Sequence, residues 1–186
     1  SAALLMAAVQ SSIRAQFCDG DSPTGSGAFF PVSPAEVVGR LNRQLYESTP
    51  PEKYATFFYA VYDATRRTLT YTNAGHPPPF LFRNGSLQRL TEGGTVVGLF
   101  ARVTYDQAVV ELQPGDLILA YTDGMTEPEN SFGEEFGEDR LVEAVKRARH
   151  SPPDVQAHEI YRSVNDWTGS PELQDDMTMV FVRAEK

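Results

Sequence analysis

Two short acidic motifs carry the chemistry this sequence could do. In the first, Asp123 and Gly124 follow directly on the run Asp116-Leu117-Ile118-Leu119-Ala120-Tyr121-Thr122. A strand of that composition ends on a carboxylate and a glycine, and the glycine lets another backbone or a ligand come close. A carboxylate at a strand end suits a hard divalent cation. Asp-Gly is also a frequent turn dipeptide, so this motif alone leaves ligand and turn both open. In the second motif, Asp175-Asp176-Met177-Thr178 leads into residues 177–183, an expected strand. Two adjacent carboxylates repel each other unless a cation or solvent intervenes. Successive strand residues point to opposite faces. At most one of the pair is therefore expected to face the same site as Asp123, and a solvated acidic turn is the competing reading.

A third motif, Asn73-Ala74-Gly75-His76-Pro77, follows another expected strand. His76 could be a ligand or a general acid, whereas the glycine and the prolines after the histidine point to a loop whose role is shape. His150 and His158 read as surface helix residues. Asp19-x-Asp21 is too short a pattern to define a metal site. The single cysteine, Cys18, reads as an ordinary loop or core position. It cannot form an internal disulfide, which points to a cytoplasmic setting. There is no Walker loop or dinucleotide fingerprint, no cysteine-based zinc spacing and no Gly-x-Ser-x-Gly elbow.

The elements that must position these residues can be read in outline. Residues 2–17 are Ala- and Leu-rich, with Leu5, Val9 and Ile13 four apart, which predicts a buried helix rather than a signal peptide. Residues 18–32 are broken by Gly, Pro and Ser into a loop. Ser33-Pro34-Ala35-Glu36 opens a helix with Ser as N-cap and Pro in the first turn; Val37, Leu41 and Leu45 form its apolar face. Strands are expected over 55–62 and 68–73, joined by a turn at 63–67. Two more, 79–83 and 86–90, flank Asn84-Gly85, a hairpin signal. Residues 104–112 and 116–122 flank Pro114-Gly115 and read as a further antiparallel pair. An acidic, loose loop over 127–138 precedes two helices, 139–149 and one opening at Ser151-Pro152-Pro153-Asp154 and ending near Trp167. Strand runs segregated from helix runs predict the α+β class in one domain.

The bulk composition sets limits on function. The chain has 186 residues, enough for one sizeable core, with 41% hydrophobic and 11% aromatic content. A formal net charge of -9 argues against a nucleic-acid binder and against a polybasic membrane contact. No stretch is long and apolar enough to cross a bilayer.

Taken together and in order, the motifs resemble the metal-dependent protein phosphatase family (PPM, protein phosphatase 2C-like). The resemblance is greatest to its bacterial branch, typified by the stage II sporulation phosphatase E and the stress-response regulators of sigma factors. It is carried by residues 2–7, 33–42, 55–59, 71–78, 97–99, 112–116, 121–127 and 174–178. The resemblance implies a four-layer α-β-β-α sandwich of two antiparallel sheets and a site holding two Mn²⁺ or Mg²⁺ ions. It implies Asp123 and Asp175 as metal ligands, with Asp176 and Gly124 just outside the ligand sphere. Asn73 to His76 matches a motif taken as structural. No side chain is implied as a catalyst beyond a metal-activated water that attacks phosphorus.

The implied substrate is phosphoserine or phosphothreonine on a regulatory protein of the anti-sigma factor antagonist type, with room for a sensor domain upstream. In the family a Gly-Asp-x-x-Gly-x-Gly segment precedes the helix matching residues 2–15. The expectation is thus a single domain, 1–186, N-terminally truncated and lacking its first strands. Its metal shell would be incomplete and its activity as a fragment in question. A catalytically silent regulatory module on the same fold is the alternative.

Overall fold

The computed structural model describes Gln10 and residues 33–50, 53–170 and 174–185. The expected helix over 2–17 and the loop over 18–32, with Cys18 and Asp19-x-Asp21, lie outside the described residues. The described chain gathers into two compact units. One comprises the chain up to His76 together with Leu90–Gln113, and the other comprises Pro77–Arg89 with the chain from Pro114 onward.

In the first unit, helix α1 (Pro34–Ser48) starts as its sequence dictates. Ser33 Oγ accepts a hydrogen bond from the Glu36 amide at 3.3 Å, and Pro34 occupies the first turn, where its missing N–H costs nothing. Strands β1 (Phe57–Asp63) and β2 (Thr68–Ala74) form an antiparallel hairpin with Tyr59 opposite Thr72. The Asp63 carboxylate closes the turn by accepting from the amides of Thr65 and Arg66. Val38, Leu41 and Leu45 of α1 pack with Ala74, Val97 and Tyr105, and Phe57 and Tyr59 lie against that cluster.

In the second unit, β3 (Phe80–Arg83) and β4 (Ser86–Arg89) form the expected hairpin. Asn84 and Gly85 both have positive φ, 47° and 84°, as a type I′ turn requires. Strands β7 (Leu117–Tyr121) and β8 (Met179–Arg183) extend this sheet to the order β4-β3-β7-β8, antiparallel throughout. Phe80, Phe82, Leu117, Leu119 and Tyr121 share a core with Leu141 and Val145 of helix α2 (Gly137–Ala148) and with Ile160 and Val164 of helix α3 (Pro153–Thr168). The α+β class read from the sequence holds. His150 and His158 are exposed, as expected.

Two expectations are corrected, and one strand had no expectation. Pro114-Gly115 does turn the chain, with Gly115 at φ 89°, but no hairpin forms there. Strand β6 (Ala108–Glu111) pairs with β2, while β7 pairs with β3 and β8. The turn carries the chain from one sheet to the other. Turn chemistry is local, whereas partners follow burial: β6 is alternately half-buried and exposed, and β7 is buried almost throughout.

The strand without an expectation, the two-residue β5 (Gly93–Gly94), pairs parallel with β2. Two glycines show no side-chain pattern. A Cβ on Gly93 would lie 1.9 Å from the Asn73 carbonyl oxygen, so only glycine permits that approach.

Second, residues 127–138 do not form a loose loop. Asn130 Oδ1 accepts from the amides of Phe132 and Glu134, Glu129 bridges Glu135, and the Trp167 indole donates to the Glu134 carbonyl at 3.0 Å. Acidic composition suggested solvation; the side-chain-to-backbone bonds that close the loop have no periodic signature.

Candidate metal-binding site

Strand β7 stops at Tyr121 because the next residues turn away. Thr122 is still extended, and Asp123–Met125 make one turn of 3-10 helix, with the Thr126 and Glu127 amides both donating to the Asp123 carbonyl. Met125 plugs the core below. That anchor leaves the Asp123 side chain exposed at the strand end, where its Oδ1 accepts from the Gly124 amide at 3.0 Å. A carboxylate held there by its own backbone, and open to solvent, can receive a cation.

The second acidic motif is tied to this turn by backbone. Thr122 Oγ1 donates to the Asp176 carbonyl at 3.1 Å and accepts from the Thr178 amide at 3.0 Å, and the Thr122 amide donates to the Thr178 carbonyl. A Cβ at Gly124 would sit 2.5 Å from the Asp176 carbonyl oxygen. Gly124 is thus needed for close approach between the two segments. The structure therefore laces the Thr122–Gly124 turn to the Asp176–Thr178 segment, with Asp123 within the turn and Asp175 next to the segment.

It does so by a different rule from strand alternation. Asp175 and Asp176 precede β8, which begins at Met179, so the pleat does not sort them. Both side chains are exposed. Asp176 presents its carbonyl to Thr122, and Asp175 Oδ1 accepts from the Asp176 amide at 2.7 Å.

Sequence reasoning passed over three residues beside the site. Thr122 is the hydroxyl that laces the two motifs. Gln174 grips the Glu129 backbone, accepting from its amide at 2.8 Å and donating to its carbonyl at 2.9 Å. Glu138, in the first turn of α2, accepts from the Tyr121 hydroxyl at 3.0 Å and from Nε and one terminal nitrogen of Arg89. Burial, and then the Glu138 charge, push the Tyr121 phenol up from its ordinary value, so it stays a donor. The signals for Thr122 and Gln174 were their places in Tyr-Thr-Asp-Gly and in Gln-Asp-Asp-Met-Thr; Glu138 had none.

The third motif serves a different purpose. Asn73 is buried, and its side-chain amide donates to the His76 and Leu90 carbonyls while its oxygen accepts from the His76 amide at 2.8 Å. The His76 ring meets Thr56 Oγ1 at 3.3 Å. The loop is shaped by Asn73, with Gly75 at φ 72°.

Asp123 and Asp175 offer oxygen donors in exposed positions, a set that fits a hard ion such as Mg²⁺ or Mn²⁺ rather than a soft one. Among the described residues, no three His, Cys, Asp or Glu side chains gather into a metal-holding group. No helix among the described residues is long and apolar enough to cross a membrane.

Comparison with known proteins adds to this geometry. The family described as Stage II sporulation protein E (SpoIIE) matches residues 1–185. Phosphoserine phosphatase RsbU of Bacillus subtilis is 28% identical over 156 residues, 82% of this chain and 45% of RsbU. The SiaA-PP2C domain of Pseudomonas aeruginosa superposes with a TM-score of 0.77 at 20% identity, covering 98% of this chain and 68% of that one. The catalytic domain of the serine/threonine protein phosphatase PstP, solved in complex with two manganese ions, gives a TM-score of 0.63 at 15% identity, covering 98% of this chain and 81% of that one. These two likenesses show the fold. The chain spans less than half the length of the curated relatives it matches.

Proposed function

Since the chain belongs to the stage II sporulation protein E (SpoIIE) family, we propose that it is a metal-dependent protein serine/threonine phosphatase. Its substrate on this reading is phosphoserine or phosphothreonine on a bacterial regulatory protein of the anti-sigma factor antagonist type. The observation that carries the reading is the lacing of Thr122, Asp123 and Gly124 to Asp176 and Thr178. It joins two exposed acidic motifs far apart in sequence. The relative named as a phosphoserine phosphatase supports the reaction class, and the manganese-bound relative supports a divalent ion.

On this reading Asp123 and Asp175 hold the ion, while Asp176 and Gly124 shape its surroundings. When bound, a divalent ion supplies charge neutralisation at the phosphoryl oxygens and lowers the pKa of water. The chain's own residues do the positioning. The 3-10 turn fixes the Asp123 backbone, Thr122 fixes the Asp176 carbonyl, and the Tyr121–Glu138–Arg89 chain fixes the end of β7 against the start of α2.

The test is hydrolysis of p-nitrophenyl phosphate and of a phosphoserine peptide with added Mn²⁺. Metal-dependent turnover that is lost in Asp123→Asn is expected. Turnover that survives Asp123→Asn rejects the ligand assignment. A folded protein with no turnover on any phosphosubstrate favours the silent regulatory module.

A further inference from the structure

We propose that Gln174 is a positioning residue that holds Asp175 in place beside the Asp123 turn by clamping the backbone of Glu129. The proposal rests on the functional reading above and deepens it. A primary amide presents one donor and one acceptor side by side, which matches the N–H and C=O of a single extended residue. Gln174 makes both bonds to Glu129, at 2.8 and 2.9 Å. Its side chain thereby acts as one rung of a β-ladder.

Glu129 is a fixed post. Its neighbourhood is closed by the Glu129–Glu135 bridge, by the Phe136 amide donating to the Pro128 carbonyl at 2.9 Å and by the Gly137 amide donating to the Thr126 carbonyl at 2.8 Å. Trp167 secures the far side through Glu134. Asp175 then sits between two anchors. On its C-terminal side, Thr122 holds Asp176 and Thr178. On its N-terminal side, Gln174 holds Glu129. The bond from the Asp176 amide to the Asp175 carboxylate lies within the segment and cannot fix it to the body of the unit. With the Gln174 anchor removed, the segment pivots about Thr122, and Asp175 no longer meets the turn in one geometry.

The clamp lies at an exposed surface, so its loss should leave the fold intact while altering placement. In Gln174→Ala, Mn²⁺ affinity measured by calorimetry should fall on the order of ten-fold, while the thermal midpoint shifts by less than about 2 °C. In the metal-free protein, hydrogen exchange should quicken about ten-fold at the Glu129 and Asp176 amides and stay unchanged at Thr178. Gln174→Glu keeps the acceptor for the Glu129 amide but loses the donor, and should fall between the two.

Each outcome is separable. If exchange at Glu129 and Asp176 is unchanged in Gln174→Ala, the clamp is overturned whatever the metal does. A faster exchange with wild-type Mn²⁺ affinity overturns its link to Asp175. A large drop in thermal midpoint makes Gln174 merely structural and also overturns it. A wild-type chain that takes up no Mn²⁺ overturns the phosphatase reading and the metal arm of this one, while the exchange arm still decides the clamp.

Discussion

Two strand ends in this chain look alike in sequence and do opposite things. Strand β2 closes on Asn73-Ala74 with Gly75 next, and Thr122-Asp123-Gly124 follows β7; each pairs a short polar side chain with a glycine. Asn73 is 4% exposed, and its amide is engaged by three backbone groups at His76 and Leu90. Asp123 is exposed, and its carboxylate accepts from the neighbouring Gly124 amide. The first is a buried polar group whose bonds hold a loop. The second is a charge that the backbone holds out to solvent. Residue type does not tell the two apart; burial and the partners of the side chain do.

That contrast can be broken experimentally. The largest effect is expected at Asp123. Asp123→Asn should lower Mn²⁺-dependent hydrolysis at least about 100-fold, beyond what the loss of a ligand's hydrogen-bond partner costs. Its urea midpoint should match the wild type; retained activity would end the comparison. Asn73→Ala should do the reverse. It strands buried backbone groups and should cost about 2–3 kcal/mol in chemical denaturation, with residual activity per folded molecule near normal.

Gly124→Ala sharpens the comparison, because its Cβ would press on the Asp176 carbonyl. It should combine a loss of about 1–3 kcal/mol with weaker Mn²⁺ binding. Mn²⁺ affinity equal to wild type would show that the two segments need not touch. The smallest effect is expected for Glu138→Gln. It keeps an acceptor for Tyr121 but gives up the charge facing Arg89. That ion pair is more than a third exposed on both sides, so denaturation should register about 0.5 kcal/mol.

Much of the fold was legible because its signals are local or periodic. Ser33-Pro34 capped a helix, Asn84-Gly85 made a hairpin, and apolar spacing marked α1. What failed was pairing. Pro114-Gly115 was read correctly as a turn and wrongly as a hairpin, because β6 and β7 find partners far away in sequence. Gly93–Gly94 had no side chains to read. At the candidate site, the place of Asp123 at a strand end was legible from a strand meeting Asp-Gly. The arrangement of Asp175 and Asp176 was not, since a pleat argument applies to strands and both precede β8. Thr122 and Gln174 act through backbone contacts that no spacing rule announces.

The interleaving of the two units has a consequence for how this molecule comes into being. The chain passes between units at His76, at Arg89 and again at Gln113, and β7 pairs with a strand some sixty positions later. Neither unit is built from one contiguous piece of chain. Contacts of such separation slow folding and make it cooperative. During synthesis, which runs from the N-terminus, β7 emerges with one edge bare and waits for β8. Asp175 arrives just ahead of that last strand, so the acidic neighbourhood forms only when the second sheet closes. A nascent chain cannot present the candidate site early; completing the sheet and bringing its two acidic motifs together are the same event.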